Sequence, residues 1–458
     1  MTALPRHIAV IDIGKTNVKL ALVDRAAMVE LAVLTQPNRV LSGPPYPHFD
    51  VAGHWSFLLA GLAQFQASYG IDGISIATHG ACAALLCADG SLATPVLDYE
   101  HDGPAEIAAA YEKMRPDFAV TGSPRLGVGL NLGAQLHWLL SQDTGLADRV
   151  AHVVTWPQYW AYLLTGRLAC DVSSLGCHTD LWDPLTGWFS DLVAKLGLEG
   201  KIALPHKPGD VLGMVLPGIV QKTGLSPTTP VVCGIHDSNA SLLPHLLTQN
   251  GPFAVVSTGT WVVCMAVGGQ APMLDPARDV LVNVAANGRA VPSARFMGGR
   301  EYELMRSGRA TAATAADEAG ILASGLMLWP SVVADGGPFP GRKMGWSLAA
   351  SDHSDQVRDT ALAFYLALMT AECLTLAGAT GPVIVEGPFA ANAAYCRMLA
   401  VATGRAVHCA ASQTGTSIGA ALLFGAPDSA PPMVEICPGA NAANYQSYAL
   451  EWRRAIGT

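Results

Sequence analysis

The stretch Ile8-Ala-Val-Ile-Asp-Ile-Gly-Lys-Thr-Asn-Val-Lys-Leu-Ala-Leu-Val-Asp24 decides how this chain reads. Residues 8–11 are apolar and β-rich, and Gly14 breaks the run. Val18, Leu20 and Leu22 then alternate with Lys19 and Ala21, which predicts two strands around a tight turn. Working outward, Met28–Leu34 supplies a third strand. Residues 54–69 place apolar side chains at helical spacing, and Gly73–Ala77 is a short strand ending at Thr78-His79-Gly80. A strand meander, a helix and a further strand make an α/β start. A shift of 245 residues lays Ala9-Val-Ile-Asp-Ile-Gly14 on Ala254-Val-Val-Ser-Thr-Gly259, and Val18 on Val263. One copy opens the chain and the other lies past its midpoint, so two domains of related fold are expected.

The boundary belongs near Pro230–Ser241, where Val231-Val-Cys-Gly234 reads as a strand followed by a polar cluster. The predicted division is residues 1–234, residues 235–425 and a tail over 426–458. The second domain carries a helix over 358–379, a strand Val383–Val385, a glycine turn, a helix from Ala391 to Thr403 and a small-residue segment Gly415–Gly425.

Composition sets the outer limits. The chain has 458 residues, 27 Lys and Arg against 36 Asp and Glu, and only 14% charged residues. Half the residues are hydrophobic, which excludes general disorder, and a sustained basic face for nucleic acid is not expected. The mean hydropathy of +0.31 raises the question of a membrane. The most apolar helical stretch, Ala361–Ala371, stops at Glu372, short of the ~20 residues needed to cross one. The N-terminus reads as running straight into a strand, without a signal peptide. None of the ten cysteines forms a CxxC pair, and several sit in apolar runs, so they read as reduced, mostly buried thiols of a cytoplasmic protein rather than zinc ligands.

Four segments can carry chemistry. The turn Asp12-Ile-Gly-Lys-Thr16 exposes backbone N–H groups: Gly14 admits a phosphate, Lys15 brings charge, Thr16 a hydroxyl, and Asp12 suits hydrated Mg²⁺. An ordinary hairpin explains the same residues. Ser257-Thr258-Gly259-Thr260 is a second hydroxyl-rich glycine turn at the equivalent place, and two such turns facing each other across a cleft would grip a polyphosphate. In Gly234-Ile-His-Asp-Ser-Asn239, Asp237 follows a strand end, where it can accept a proton from an attacking hydroxyl or simply cap the helix that begins at Ala240. Val383-Ile-Val-Glu-Gly387-Pro-Phe-Ala-Ala-Asn392 offers a place for a nucleotide ring or ribose, or a plain βα connection. Gly415-Thr-Ser-Ile-Gly419 matches a nucleophile elbow, but the last histidine, His408, precedes Ser417, which argues against a serine hydrolase. No Walker-type or dinucleotide glycine loop occurs.

In this order and spacing, the four segments resemble the FGGY family of carbohydrate kinases, over about residues 7–425. The resemblance implies an α/β fold of two ribonuclease-H-like (actin-like ATPase) domains with a cleft between them, ATP and Mg²⁺ as cofactors, and a sugar as acceptor. It implies Asp237 as catalytic base and Asp12 as the Mg²⁺-linked carboxylate. Gly14, Lys15 and Thr16 would form one phosphate turn, and Thr258, Gly259 and Thr260 the other. His79, Gly80, Asp98, Trp55 and Asp237 would contact substrate, with Glu100 and Asp102 as alternatives to Asp98 for the sugar-binding carboxylate, and Gly387 and Asn392 would lie at the adenosine. Two departures stand out: Pro95-Val-Leu-Asp-Tyr-Glu-His-Asp102 lacks the arginine usual there, and Glu386-Gly-Pro388 replaces a Gly-Gly pair. The first argues against glycerol as substrate. A deoxy-ketohexose of the L-rhamnulose or L-fuculose type is the leading expectation, with L-ribulose or D-xylulose as the alternative. A non-catalytic actin-like nucleotide-binding protein is the reading from another class. Expected partners are the sugar and ATP, with no nucleic acid or membrane. The chain is shorter than many relatives, which points to lost insertions and a homodimer.

Overall fold

The structure is a computed structural model that describes residues 4–270, 274–306, 313–410, 415–439 and 441–457. The chain forms two units. Unit 1 comprises residues 1–248, 282–290 and 414–430; unit 2 comprises 249–281, 291–413 and 431–458.

Unit 1 is built on β1 (His7–Ile13), β2 (Asn17–Asp24), β3 (Val29–Pro37), β4 (Gly73–Thr78), β5 (Val211–Met214), β6 (Pro230–Val232) and β7 (Ile235–His236). The sheet order is β5-β6-β4-β1-β2-β3, with β7 also paired to β4. β1 runs antiparallel to β2 and parallel to β4. The apolar run at 8–11 has no exposed side chain because both faces of the sheet are covered. Ala9 and Ile11 pack with Leu58 and Leu62 of α1 (Val51–Tyr69) and Trp160 of α2 (Trp156–Thr165). Ile8 and Val10 face the other way, onto Ala240 of α3 (Asp237–Thr248) and Ile418 of the short helix Thr416–Ala421.

The second sheet, which lies in unit 2 except for residues 282–290, repeats the plan with β8 (Phe253–Thr258), β9 (Val262–Val267), β10 (Val280–Val284), β11 (Ala290–Phe296), β12 (Val383–Glu386), β13 (Val407–Ala410) and β14 (Met433–Ile436), in the order β10-β11-β9-β8-β12-β13-β14. β8 is antiparallel to β9 and parallel to β12, as β1 is to β2 and β4. The expected repeat is therefore present as topology, with one difference of register. Residues 14–17 separate paired Ile13 and Val18, whereas only 259–261 separate paired Thr258 and Val262. The second turn is one residue shorter, so Val18 corresponds to Val262 rather than Val263.

The division differs from the expected 234/235 boundary. Residues 235–248 stay with unit 1 because β7 pairs with β4 and Ala240 is part of that unit's core. Residues 431–458, expected as a tail, belong to unit 2: β14 pairs with β13, and Tyr445, Tyr448, Trp452 and Ile456 of the C-terminal helix Ala442–Ile456 are buried in its core. The long helix expected over 358–379 runs from Asp355 to Leu376, and it continues through Glu372, where its most apolar stretch stops. That carboxylate is buried but paired with Arg453 at 2.9 Å, so it does not interrupt the apolar helix. By length and composition this helix meets the criteria for a membrane span, yet 83% of its most apolar window is buried inside the unit.

Candidate functional site

The site residues of unit 1 gather at the ends of β1, β4 and β7. Asp12, one residue before the end of β1, is opposite Lys19 in the β1–β2 ladder. Burial pushes its carboxyl up to about 6, against the pull of Lys19, and Asp237 adds to the rise. Its carboxylate accepts a hydrogen bond from Ser417 Oγ at 3.2 Å. The turn that follows is pinned from behind. Asn38 donates from its side chain to the Gly14 carbonyl (2.8 Å) and from its backbone to Thr16 (2.9 Å), and His54 Nε2 donates to Asn38 Oδ1 at 2.7 Å. A Cβ on Gly14 would meet only the Asn17 carbonyl, at 3.7 Å, so nothing in the fold itself requires glycine there.

Lys15 does not stand free in this turn. Its ammonium is ion-paired with Asp98 and with Glu100 at 3.1 Å, and sits 4.9 Å from the Tyr99 ring centre and 5.4 Å from that of Phe49. The same two rings flank His79, at 5.1 and 5.3 Å. His79 Nδ1 donates to the Gly80 carbonyl at 2.9 Å, and burial keeps the imidazole neutral. Its Nε2 is therefore an acceptor, and it is buried without a partner. A buried lone pair of this kind suits a ligand hydroxyl. Trp55, expected beside His79, instead packs on Trp160 at 6.2 Å, in the core between α1 and α2. Amphipathic helix residues of this size are drawn to the core, and helical spacing alone did not distinguish the two roles.

Asp237 opens α3. Its Oδ1 accepts from the Ser238 N–H at 2.6 Å and lies 3.2 Å from His236 Nε2, while a third of the side chain remains exposed. The helix thus begins at Asp237 itself rather than at Ala240, so the expected capping from outside the helix does not occur, and the part-exposed carboxylate stays open to a proton-accepting role. Gly80 is closely packed: a Cβ would stand 3.0 Å from His236 Nε2 and in ordinary contact, 3.5 Å, with Cys177 Sγ.

In unit 2 the Gly259–Thr260 turn borders a cavity of about 670 Å³, also lined by Tyr302, Asp359, Phe389 and Asn392. Gly259 resembles Gly14 in having room for a Cβ, with only the Trp261 carbonyl at 3.9 Å. Thr258 is different. Its hydroxyl donates to the Glu386 carbonyl and accepts from the Phe389 N–H at 3.1 Å, so it ties β8 to the turn after β12. Gly387 is demanded by that tie, with φ +81° and a would-be Cβ 2.0 Å from the Thr258 carbonyl oxygen. Asn392 caps the helix Ala393–Thr403 by accepting from the Tyr395 N–H at 3.1 Å. Phe49, Tyr99, Cys177 and Ser417 were not foreseen as site residues, whereas Glu100 is one of the alternatives weighed beside Asp98. Tyr99 and Glu100 flank Asp98 in the segment already singled out, whereas Phe49 and Ser417 come from distant parts of the sequence.

A duplicated ribonuclease-H-like sheet, with a glycine turn at the same ladder end of each copy, defines the two-domain actin-like fold class. Models of the N-terminal and C-terminal domains of FGGY carbohydrate kinases match residues 7–244 and 250–432, and the chain belongs to the FGGY family of carbohydrate kinases. A carbohydrate kinase from Novosphingobium aromaticivorans is 35% identical, with a TM-score of 0.91 and 99% of each chain covered. A xylulose kinase from Rhodospirillum rubrum shares the fold at 21% identity and a TM-score of 0.80, covering 99% of this chain and 98% of the other. Autoinducer-2 kinase of Escherichia coli strain SMS-3-5 is 27% identical over 297 residues, 60% of this chain, and the match spans about half, 54%, of that protein's length.

Proposed function

We propose that this chain is an ATP-dependent sugar kinase. The observation that carries the reading is the repeated glycine turn: Gly14 and Gly259 occupy the same ladder end in their units, and neither is needed by the packing around it. A residue that the fold leaves free but the ligand requires fits backbone N–H groups approached by phosphate. Gly14 and Thr16 are assigned to one phosphate turn, and Gly259 and Thr260 to the other. The 670 Å³ cavity beside Gly259 suits the nucleoside, with Asn392 at its edge. Thr258 supports this region by bonding to Glu386 and Phe389 on either side of Gly387, whose lack of a side chain permits the approach. Lys15 is assigned to the acceptor sugar, because its charge is already taken up by Asp98 and Glu100.

On this reading Asp237 accepts the proton of a terminal sugar hydroxyl. The hydroxyl oxygen bonds to the γ-phosphorus in line, the bond from that phosphorus to the bridging oxygen breaks, and ADP leaves. His79 Nε2 accepts a second sugar hydroxyl. Asp12 fits a divalent cation: an acid that burial lifts to about 6 gains by facing a positive charge. Among the described residues no group of three or more His, Cys, Asp or Glu surrounds a common point, which suits an ion completed by phosphate and water. Magnesium bound there would supply neutralisation of the phosphate charge.

The acceptor is a ketose of five or six carbons. Phe49 and Tyr99 give C–H faces an apolar surface, which favours a 6-deoxyketohexose such as L-rhamnulose or L-fuculose over L-ribulose or D-xylulose. Ten free cysteines support a reducing, cytoplasmic setting. Coupled detection of ADP over a panel of these ketoses tests the proposal. Sugar-stimulated turnover is expected; ATP binding with no sugar-stimulated turnover would replace it by the non-catalytic reading.

A further inference from the structure

Strand parity decides what covers Asp12. Ile8 and Val10 face the layer formed by α3 and the short helix Thr416–Ala421, and Asp12 is the next residue on that face of β1. The short helix is tied down at three points. Ile418, Ala420 and Ala421 belong to the core beneath it. Ser75 of β4 donates from its hydroxyl to the Ala420 carbonyl at 2.8 Å. Gly419 lies so close to α3 that a Cβ there would collide with the Ala240 carbonyl. A fixed element therefore delivers Ser417 to the end of β1, where it is fully buried. A buried hydroxyl needs an acceptor. In a helix, serine and threonine commonly turn back to a carbonyl one turn earlier, as Thr360 does to Gln356. Ser417 instead donates across 405 positions of sequence to Asp12 Oδ2, at 3.2 Å. The segment Gly415–Gly419, which by pattern alone matches a nucleophile elbow, gives its serine a carboxylate as partner rather than a histidine.

We propose that Ser417 is a positioning residue for Asp12: its hydroxyl holds Oδ2 and so leaves Oδ1 to face a divalent cation bound with the nucleotide phosphates. The inference rests on the reading of Asp12 as the metal-linked carboxylate. The terminal torsion of an aspartate is broad and roughly two-fold, so a carboxylate at a strand end is free to turn. A donor fixed on one oxygen removes that freedom. The hydroxyl is neutral, so it orients the carboxylate without cancelling its charge, as a lysine or arginine in its place would. Lys19, across the ladder from Asp12, is ion-paired with Glu30 at 2.6 Å, so the Asp12 charge is kept for an incoming cation. Loss of an outer hydrogen bond of this kind typically costs roughly 10–100-fold in metal affinity.

The test is calorimetric binding of the non-hydrolysable β,γ-imido analogue of ATP to the full chain, once with Mg²⁺ and once with EDTA. The quantity read is the gain in affinity that Mg²⁺ confers. Asp12→Asn should abolish that gain. Ser417→Ala should reduce it about tenfold while leaving the affinity in EDTA unchanged. A serine that matters only for packing would lower both affinities together or neither, and an intact gain in Ser417→Ala overturns the proposal. Should Ser417→Ala not fold, Ser417→Cys, of similar size with a weak donor, is read by the same criterion. A wild type without any gain, or an Asp12→Asn variant that keeps it, removes the metal reading of Asp12 and the positioning role with it. A gain lost in Asp12→Asn but intact in the Ser417 variant overturns the positioning role alone.

Discussion

Glycines separate into two groups in this molecule, and the separation is testable residue by residue. Gly387 is fixed by the fold, whereas Gly14 has open space where a Cβ would stand. Gly387→Ala should therefore destabilise unit 2 by roughly 1–3 kcal/mol through backbone strain and collision with Thr258. Gly14→Ala should leave the unfolding midpoint in place yet raise the KM for ATP about tenfold, the loss of one good contact to a charged oxygen. An unchanged KM would remove the phosphate assignment of that turn. Lys15 offers a second discrimination. Lys15→Met frees Asp98 and Glu100 and should raise the KM for sugar on the order of tenfold with little effect on that for ATP. The opposite pattern would return Lys15 to the phosphate turn where its position in sequence first put it. Sequence singled out Asp12 and Asp237 by their places near strand ends, and His79 through the family resemblance. It could not assign Lys15 or Trp55, since a long side chain near a turn can reach in several directions. Cys177 looked like one more buried thiol because its partner, His236, lies 59 residues away.

At the level of elements, the hairpin, the helix after it and the parallel strand were legible because their apolar periods are clean. β1 has a continuous apolar run, and residues 54–69 keep helical spacing. The one-residue difference between the two hairpin turns was not legible: β8 and β9 are apolar at nearly every position, so the pattern does not mark the register. The C-terminal helix was underrated. Tyr445, Tyr448, Trp452 and Ile456 form an apolar stripe at helical spacing, but the Pro- and Asn-rich stretch before it masked the signal. Trp452 is fully buried, and its Nε1 donates to the Leu328 carbonyl at 2.8 Å. Trp452→Ala should cost about 3–5 kcal/mol. Because two units need not unfold together, the effect is best read as a lowered transition of unit 2 in calorimetry, with the other transition unmoved. A variant with both transitions unchanged would show that this helix is not part of the unit 2 core.

Across the whole molecule, low charge and high apolar content were accounted for by two separately cored α/β units, each with a sheet covered by helices. The units were predicted from the hairpin repeat and from the family resemblance. Their limits shifted because strand pairing and core contacts, rather than the polar cluster at 234–241, decide where a unit ends. Chemistry was legible at this scale only as the order of four segments, since each segment by itself also reads as ordinary structure. On the proposed function, acceptor identity depends on side chains brought together by folding, among them Phe49, Tyr99 and His79. The most direct measurement is ADP release by the wild type and by Asp237→Asn with ATP, Mg²⁺ and each ketose of the panel. We expect one or more ketoses to stimulate the wild type, and the variant to bind ATP normally while losing ~10²–10⁴-fold in kcat. Full kcat in Asp237→Asn would contradict the account, as would a wild type that binds ATP but responds to no sugar.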